Sequence, residues 1–330
     1  MRLLTYSFET VLHMDSAVSE HDFVLRCQPM STYAQTVLDA QTIITPQTTL
    51  SQQIDGFGNL LQIGRIEAPH DVFSFVSTGM VVVDATDEHP ESAHPIYKRP
   101  STMTQPTAEM TAFARDVLRV IPNARPQAKA QALSHALHEK MSYTPGTTDV
   151  ETTAADAFSQ MSGVCQDYTH ILIALLRTEG IPARYVNGLM VGEGATHAWV
   201  EVHDGVRWHG IDPTNDRAID DSYIAISHGR DFTDCPIESG VFRGGARQEQ
   251  LAFRVLRHAL LALLLRHVAR AQHAHVQLHQ RQACRLLLVE RAALQLAQLR
   301  RRRLPLALLL RLALARHLLV HAAHLLLAQT

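Results

Sequence analysis

The sequence predicts an α+β fold, a small N-terminal β-sandwich followed by a mixed helix-and-strand core. Residues 1–90 consist of short, often alternating apolar runs divided by turn residues. Between 111 and 179 the apolar spacing becomes helical. Beyond Gly180 the alternation returns in three closely spaced runs.

The N-terminal strand candidates are Leu3–Phe8, Phe23–Cys27, Thr36–Ile44, Leu60–Ile66 and Val72–Val83. Pro29, Pro46, Asp55-Gly56-Phe57-Gly58-Asn59 and Pro69 separate them, a spacing suited to a sandwich. Residues 91–110 read as a linker, because Pro90, Pro95, Pro100 and Pro106 punctuate this stretch. Thr111–Ile121 then places Phe113, Val117 and Val120 on one helix face, and Pro122 stops it. Gln127–Met141 does the same with Ala130, Leu133 and Leu137. Thr153 and Asp156 predict a capped short helix. Cys165–Glu179 is a further helix, with Gly180 placed for a left-handed C-terminal cap. Strands are expected over Ala183–Val191, Ala195–His203 and Val206–Asp212.

Charge divides the chain sharply. Residues 1–246 carry a net charge of −14, whereas 247–330 carry +12. The latter stretch has 26 Leu, 14 Arg and 8 His but no Gly, Asp, Asn or Ser, the residues from which loops are built. It is set apart as an atypical tail. Its run Arg300–Arg303 fits a basic amphipathic surface, but its apolar residues clump without a helical stripe, and the preferred expectation is translation out of frame. The four cysteines, Cys27, Cys165, Cys235 and Cys284, are far apart, which argues against a zinc ribbon or a disulfide framework and fits a reducing cytoplasm. No signal-peptide pattern and no run of about 18 uncharged apolar residues is present, so no transmembrane helix is expected.

The chemistry is concentrated in two segments. In Gly163-Val164-Cys165-Gln166-Asp167-Tyr168 a cysteine opens an apolar helix. Free N–H groups and the positive end of the dipole at such a position favour thiolate. A buried cysteine capping a core helix is the competing reading. In Thr196-His197-Ala198-Trp199-Val200-Glu201-Val202, alternation puts His197, Trp199 and Glu201 on one face. If Asp204-Gly205 makes a two-residue hairpin turn, His197 lies opposite Asp212 and Trp199 opposite Gly210. Directly opposed side chains have Cβ atoms roughly 4.5–5.5 Å apart. The Asp212 carboxylate could then bond one imidazole nitrogen and leave the other for a thiol.

These residues resemble the bacterial transglutaminase-like superfamily. The likeness rests on Gly163-Val164-Cys165-x-Asp167-Tyr168, Gly180-Ile181-Pro182-Ala183-Arg184-Tyr185-Val186, His197-Ala198-Trp199-Val200-Glu201 and Asp212-Pro213-Thr214-Asn215. Gly229-Arg230-Asp231-Phe232 and Gly240-Val241-Phe242-Arg243-Gly244-Gly245 resemble its downstream segments. Residues 1–90, with Asp55-x-x-Gly58-Asn59, resemble the β-rich domain that precedes that core in bacteria. The resemblance implies a papain-like catalytic core over 111–246, a catalytic triad of Cys165, His197 and Asp212, and the activity of a cysteine protease or amidase. Catalysis would run by acyl transfer through a thioester, with hydrolysis preferred to transfer onto an amine. A non-catalytic binding or scaffold module of the same fold is the alternative. The implied partner is a peptide or other amide substrate. No cofactor, metal, nucleic acid or membrane is called for.

Other conspicuous residues have structural readings. His170 faces away from Cys165 along the helix, Tyr143 could serve a pocket or oxyanion region but better suits core packing, Trp199 suits the core or a pocket wall, and Asp167 and Glu201 suit a helix start and a strand surface. Gln160 and Gln166 are near enough in sequence to assist an oxyanion hole, although the Cys165 backbone N–H is the simpler donor. No G-x-S-x-G, phosphate-binding loop or H-E-x-x-H occurs. His273, His275 and His279 in the tail carry no metal-site expectation.

Overall fold

The computed structural model describes residues 1–86, 89–192 and 196–245, together with the backbone of 248–258. The N-terminal strands are β1 (Arg2–Leu25), β2 (Gln35–Thr45), β3 (Ser51–Ile54), β4 (Leu60–Ile66) and β5 (His70–Val83). Next come α1 (Ala108–Leu118), α2 (Pro126–Lys140), β6 (Ser142–Tyr143), α3 (Ala154–Gln160), β7 (Ser162–Gly163) and α4 (Cys165–Thr178). They are followed by β8 (Ala183–Met190), β9 (His197–His203), β10 (Trp208–Asp212), β11 (Arg217–Ala218), β12 (Tyr223–Gly229), β13 (Glu238–Arg243) and β14 (Gln248–His258).

The first two strand candidates are one strand. Nothing between Phe8 and Phe23 breaks the chain, and the alternation continues inward through Thr10, Leu12 and Met14, all buried. A register shift between His13 and Val18 bends β1 while Asp15, Ser16 and Ala17 lie exposed. The first half of β1 pairs with β5 and β14, the second with β4 and β13, all antiparallel. The bend lets β1 serve both halves, so that seven strands are linked by hydrogen bonds through it.

The helix-and-strand core is built around α4. Its residues Ile171–Leu176 are buried on every side by α1, α2, α3 and the inner face of β8 and β9, where Ala183, Tyr185, Ala198, Val200 and Val202 pack. Pro126 at the first turn of α2 and the capping of α3, with Thr153 Oγ1 accepting from Asp156 N at 3.2 Å, mark the helix starts. In α1 the inward face differs from the expected one. Met110, Ala114 and Leu118 are buried, Phe113 and Val117 pack only in part, and Val120 is 79% exposed. The Thr107 side chain caps Met110 N and starts the helix three residues early, so it ends before Val120. Behind α4 the sheet order is β11-β10-β9-β8-β12.

Residues 91–110, read as a linker, are fixed to this core. Arg177 of α4 is 5% exposed and donates to Tyr97 O, Thr104 Oγ1, Ala183 O and Arg230 O. Tyr97, Met103 and Thr104 are buried.

Two side-chain amides tie the N-terminal sheet to β12 as an extra strand would. Gln35 exchanges hydrogen bonds with the backbone of Ala225 (2.7 and 2.9 Å), and Asn59 with that of His228 (2.8 Å each). Asp55 orders the turn that presents Asn59, accepting from the N–H groups of Phe57 and Asn59. Leu189, Ile224, Ile226 and Ile237 of the core region enter the hydrophobic cluster of the N-terminal sheet.

The compositional boundary at 247 is not the structural one. Gln248–His258, whose sequence still alternates, adds β14 along β1 as far as Thr5. Residues 259–330, with Cys284, His273, His275, His279 and Arg300–Arg303, lie outside the described residues.

Candidate active site

Cys165 is the first residue of α4, with Val164 in extended conformation before it. Asp167 makes that helix start. Its carboxylate accepts the Val164 N–H at 2.7 Å and the Thr148 hydroxyl at 2.7 Å. Gly163 is required here, because a Cβ would collide with the Asp167 carboxyl group. The motif spacing thus serves to hold the N-terminal turn rigidly behind the thiol. As the leading residue of the helix, Cys165 has an N–H without an intrahelical acceptor, beside the positive end of the helix dipole.

His197 opens β9, and its Nε2 lies 2.7 Å from Asp212 Oδ2. With Nε2 committed to Asp212, the Cys165 side chain is the other group that acts on the imidazole to raise its pKa. Burial opposes a charge on His197, but hydrogen bonds to Asp212 and Cys165 and the nearby negative charge outweigh it and push its pKa up to about 9.

Asp212 is fully buried and well satisfied. Oδ2 accepts from His197, from Asn215 Nδ2 at 2.7 Å and from the Tyr223 hydroxyl at 2.8 Å. Oδ1 accepts the N–H groups of Thr214 and Asn215. Burial works against its charge, but these donors, His197 foremost, hold the carboxyl below its usual range.

The hairpin register differs from the expected one. His203 pairs with Trp208 and Val200 with Ile211, so four residues close the turn. Asp204 explains this. Its Oδ1 accepts the N–H groups of Val206 and Arg207, its Oδ2 meets His209 at 2.7 Å, and Gly205 takes φ 105°. A two-residue slip keeps every side chain on its face. His197 and Asp212 therefore still meet, as a diagonal pair.

The remaining residues divide clearly. Tyr143, expected in the core, is 55% exposed and near Cys165, where burial and the sulfur's charge raise its pKa. It sits on a strand of two residues that leaves its ring uncovered. Gln166 turns to Val150 O at 3.4 Å, and Gln160 is exposed. Trp199 is buried edge-on against Tyr223, with ring centroids 5.5 Å apart. Glu201 binds Arg184 at 2.6 Å. His170 is buried and accepts the Phe232 N–H; burial, foremost, lowers its pKa to about 4. Cys235 is fully buried because its loop folds against Asp231 and Ser227. Cys27 is buried too, and burial pushes its pKa up to about 12. Among the described residues no group of three or more metal-ligating side chains converges. Asn215, Tyr223 and Arg217 received no site role from the sequence. Asn215, two residues past the Asp212-Pro213 pair, was the one with a local signal.

Residues 111–213 match the family model of the transglutaminase-like superfamily, and residues 4–82 that of the bacterial transglutaminase-like N-terminal region. An uncharacterised protein of Mycobacterium leprae is 31% identical over 255 residues, which span 71% of this chain and 91% of that one. A protein-glutamine gamma-glutamyltransferase of Pseudomonas aeruginosa is 34% identical over 108 residues, 28% of this chain and 16% of that one. Among solved structures, a protein from Cytophaga hutchinsonii provisionally assigned as a cysteine protease superposes with a TM-score of 0.65. That pair is 22% identical, covering 78% of this chain and 91% of the other, and the likeness speaks to fold. With family models over both parts of the fold and a relative aligned along nearly its whole length, the chain belongs to the transglutaminase-like superfamily.

Proposed function

We propose that the protein is a cysteine-nucleophile hydrolase acting on an amide, with Cys165 as nucleophile, His197 as acid and base, and Asp212 as the group that orients the imidazole. The observation that carries this reading is the 2.7 Å contact between the His197 imidazole and a buried, ionised Asp212 carboxylate, with the Cys165 side chain acting on the same imidazole. The Cys165 thiolate attacks the carbonyl carbon and forms the C–S bond. The resulting oxyanion is met by the Cys165 backbone N–H at the start of α4. His197, protonated from the thiol, returns that proton to the amine nitrogen as the C–N bond breaks. Water then attacks the thioester, His197 takes its proton, and the acid leaves with the thiol restored. An amine in place of water would give transamidation, a second reading favoured by the likeness to the Pseudomonas glutamyltransferase.

The test is alkylation by a thiol-directed electrophile near neutral pH, read by peptide mapping. Cys165 reacts fastest, since Cys27 and Cys235 are buried and burial raises both their pKa values. His197→Ala slows Cys165 by at least about tenfold, within the range of general-base effects. Should Cys165 react no faster than Cys235, or ignore the loss of His197, the scaffold reading replaces this one. Mass spectrometry of trapped thioester, chased with water or with a primary amine, separates the two acceptors.

A further inference from the structure

We propose that Tyr223 and Arg217 are positioning residues for the triad: they hold the Asp212 carboxylate toward His197 and draw off part of its charge. This inference rests on the acid–base role of His197 proposed above. Asp212 Oδ2, the oxygen that meets His197, also accepts the Tyr223 hydroxyl at 2.8 Å. With its proton committed there, the Tyr223 oxygen accepts Arg217 Nε at 2.7 Å. The guanidinium carbon also lies 5.0 Å from the centre of the Tyr223 ring. A full positive charge is thereby joined to the triad carboxylate through a single hydroxyl.

The phenol has no freedom to leave this line. Tyr223 is 2% exposed, and Trp199 packs edge-on against it beside Val186. Backbone passes close by only because residue 188 is glycine, where a Cβ would strike the Trp199 ring. Arg217 is anchored from outside, with Nη2 3.6 Å from Met190 Sδ.

The consequence is chemical. A buried carboxylate with one imidazolium partner holds the imidazole proton tightly. General acid–base catalysis works best when the proton can be given up near working pH. Each donor added to the carboxylate weakens it as an acceptor and eases release of the His197 proton to a leaving amine. Asn215 serves the same oxygen but brings no charge. The Tyr223–Arg217 pair brings one, and Tyr223 is the group that transmits it.

The experiment uses full-length protein labelled at histidine, with the His197 imidazole titrated by NMR in wild type, Tyr223→Phe, Arg217→Gln and the double variant. Tyr223→Phe keeps the ring and deletes only the hydroxyl, and Arg217 is a surface residue. Each single change raises the His197 midpoint by about 0.5 pH units, a fraction of the shift a neighbouring charge can produce. Arg217→Gln has a smaller effect on top of Tyr223→Phe than in wild type, because its route through the hydroxyl is gone. Packing alone would leave both midpoints where they were. Unmoved or lowered midpoints, or strictly additive changes, overturn the inference. If Tyr223→Phe does not fold, Arg217→Gln alone decides it by the same midpoint. Alkylation of Cys165 in His197→Ala tells the two failures apart. A normal dependence on His197 with unmoved midpoints removes only the positioning role, whereas loss of that dependence removes the triad reading itself.

Discussion

The charge on His197 makes the stability of the native state depend on pH in a calculable direction. Its pKa is about 9 in the folded chain, against an ordinary value of 6.5. The folded state therefore binds this proton more tightly than the unfolded state. The resulting stabilisation is complete below pH 6.5 and is lost as the pH rises through 9. At about 1.4 kcal/mol for each pH unit between the two values, the difference amounts to roughly 3 kcal/mol. Asp212, held below the usual carboxylate range, stays ionised throughout that window. His197→Gln removes the titration and retains a side chain able to hydrogen-bond to Asp212. Urea denaturation of both proteins at several pH values between about 6 and 10 isolates the effect, because groups remote from His197 cancel in the difference. Wild type minus variant should shrink by about 3 kcal/mol across that range. In a Cys165→Ala background the change should be smaller, since one of the hydrogen bonds that raises the pKa is gone. A difference that stays constant with pH, or grows toward alkaline pH, would refute the charged His197–Asp212 pair.

Acid should destabilise the protein through His170 and His228, which burial, foremost, keeps neutral in the fold, with pKa values lowered to about 4 and about 3. The unfolded state takes up their protons first, so the melting temperature should fall as pH drops below about 6.5, and His228→Gln should flatten that fall. Arg177→Met takes the guanidinium away from three buried acceptors and a part-buried one and should cost about 3 kcal/mol, read from the urea midpoint. Gly163→Ala forces Asp167 away from the start of α4. Thermal unfolding should show a loss of at least about 1 kcal/mol, with slower Cys165 alkylation at pH values where the variant is folded.

The site was more legible in the sequence than the sheet that flanks it. Cys165 before an apolar helix, and His197 and Asp212 on one face of a hairpin, depend on local spacing that alternation preserves even when the turn is misjudged by two residues. The turn itself was misjudged because Asp204 caps a four-residue loop with its side chain, which the Asp-Gly pair alone does not reveal. Tyr223 escaped notice because it reaches Asp212 from another strand, a tertiary relation without a sequence period, and Arg217 because it acts only through that hydroxyl. The same reason hid β13 and β14: their partner is β1, at the opposite end of the described chain. In α1 the apolar period was visible, but the Thr107 cap shifted the helix and with it the buried face.

That return to β1 also bears on how the chain is assembled on the ribosome. Once β4 and β5 have emerged to pair with β1, its other two neighbours, β13 and β14, have yet to be made. Until then an edge with β-pairing N–H and C=O groups along residues 5–14 and 19–25 is available to any other strand, including β1 of a neighbouring nascent chain. The polar residues spaced along it, among them Glu9, Asp15, Glu20 and Asp22, are the negative charges that would keep two such edges apart while each waits for its own late strands.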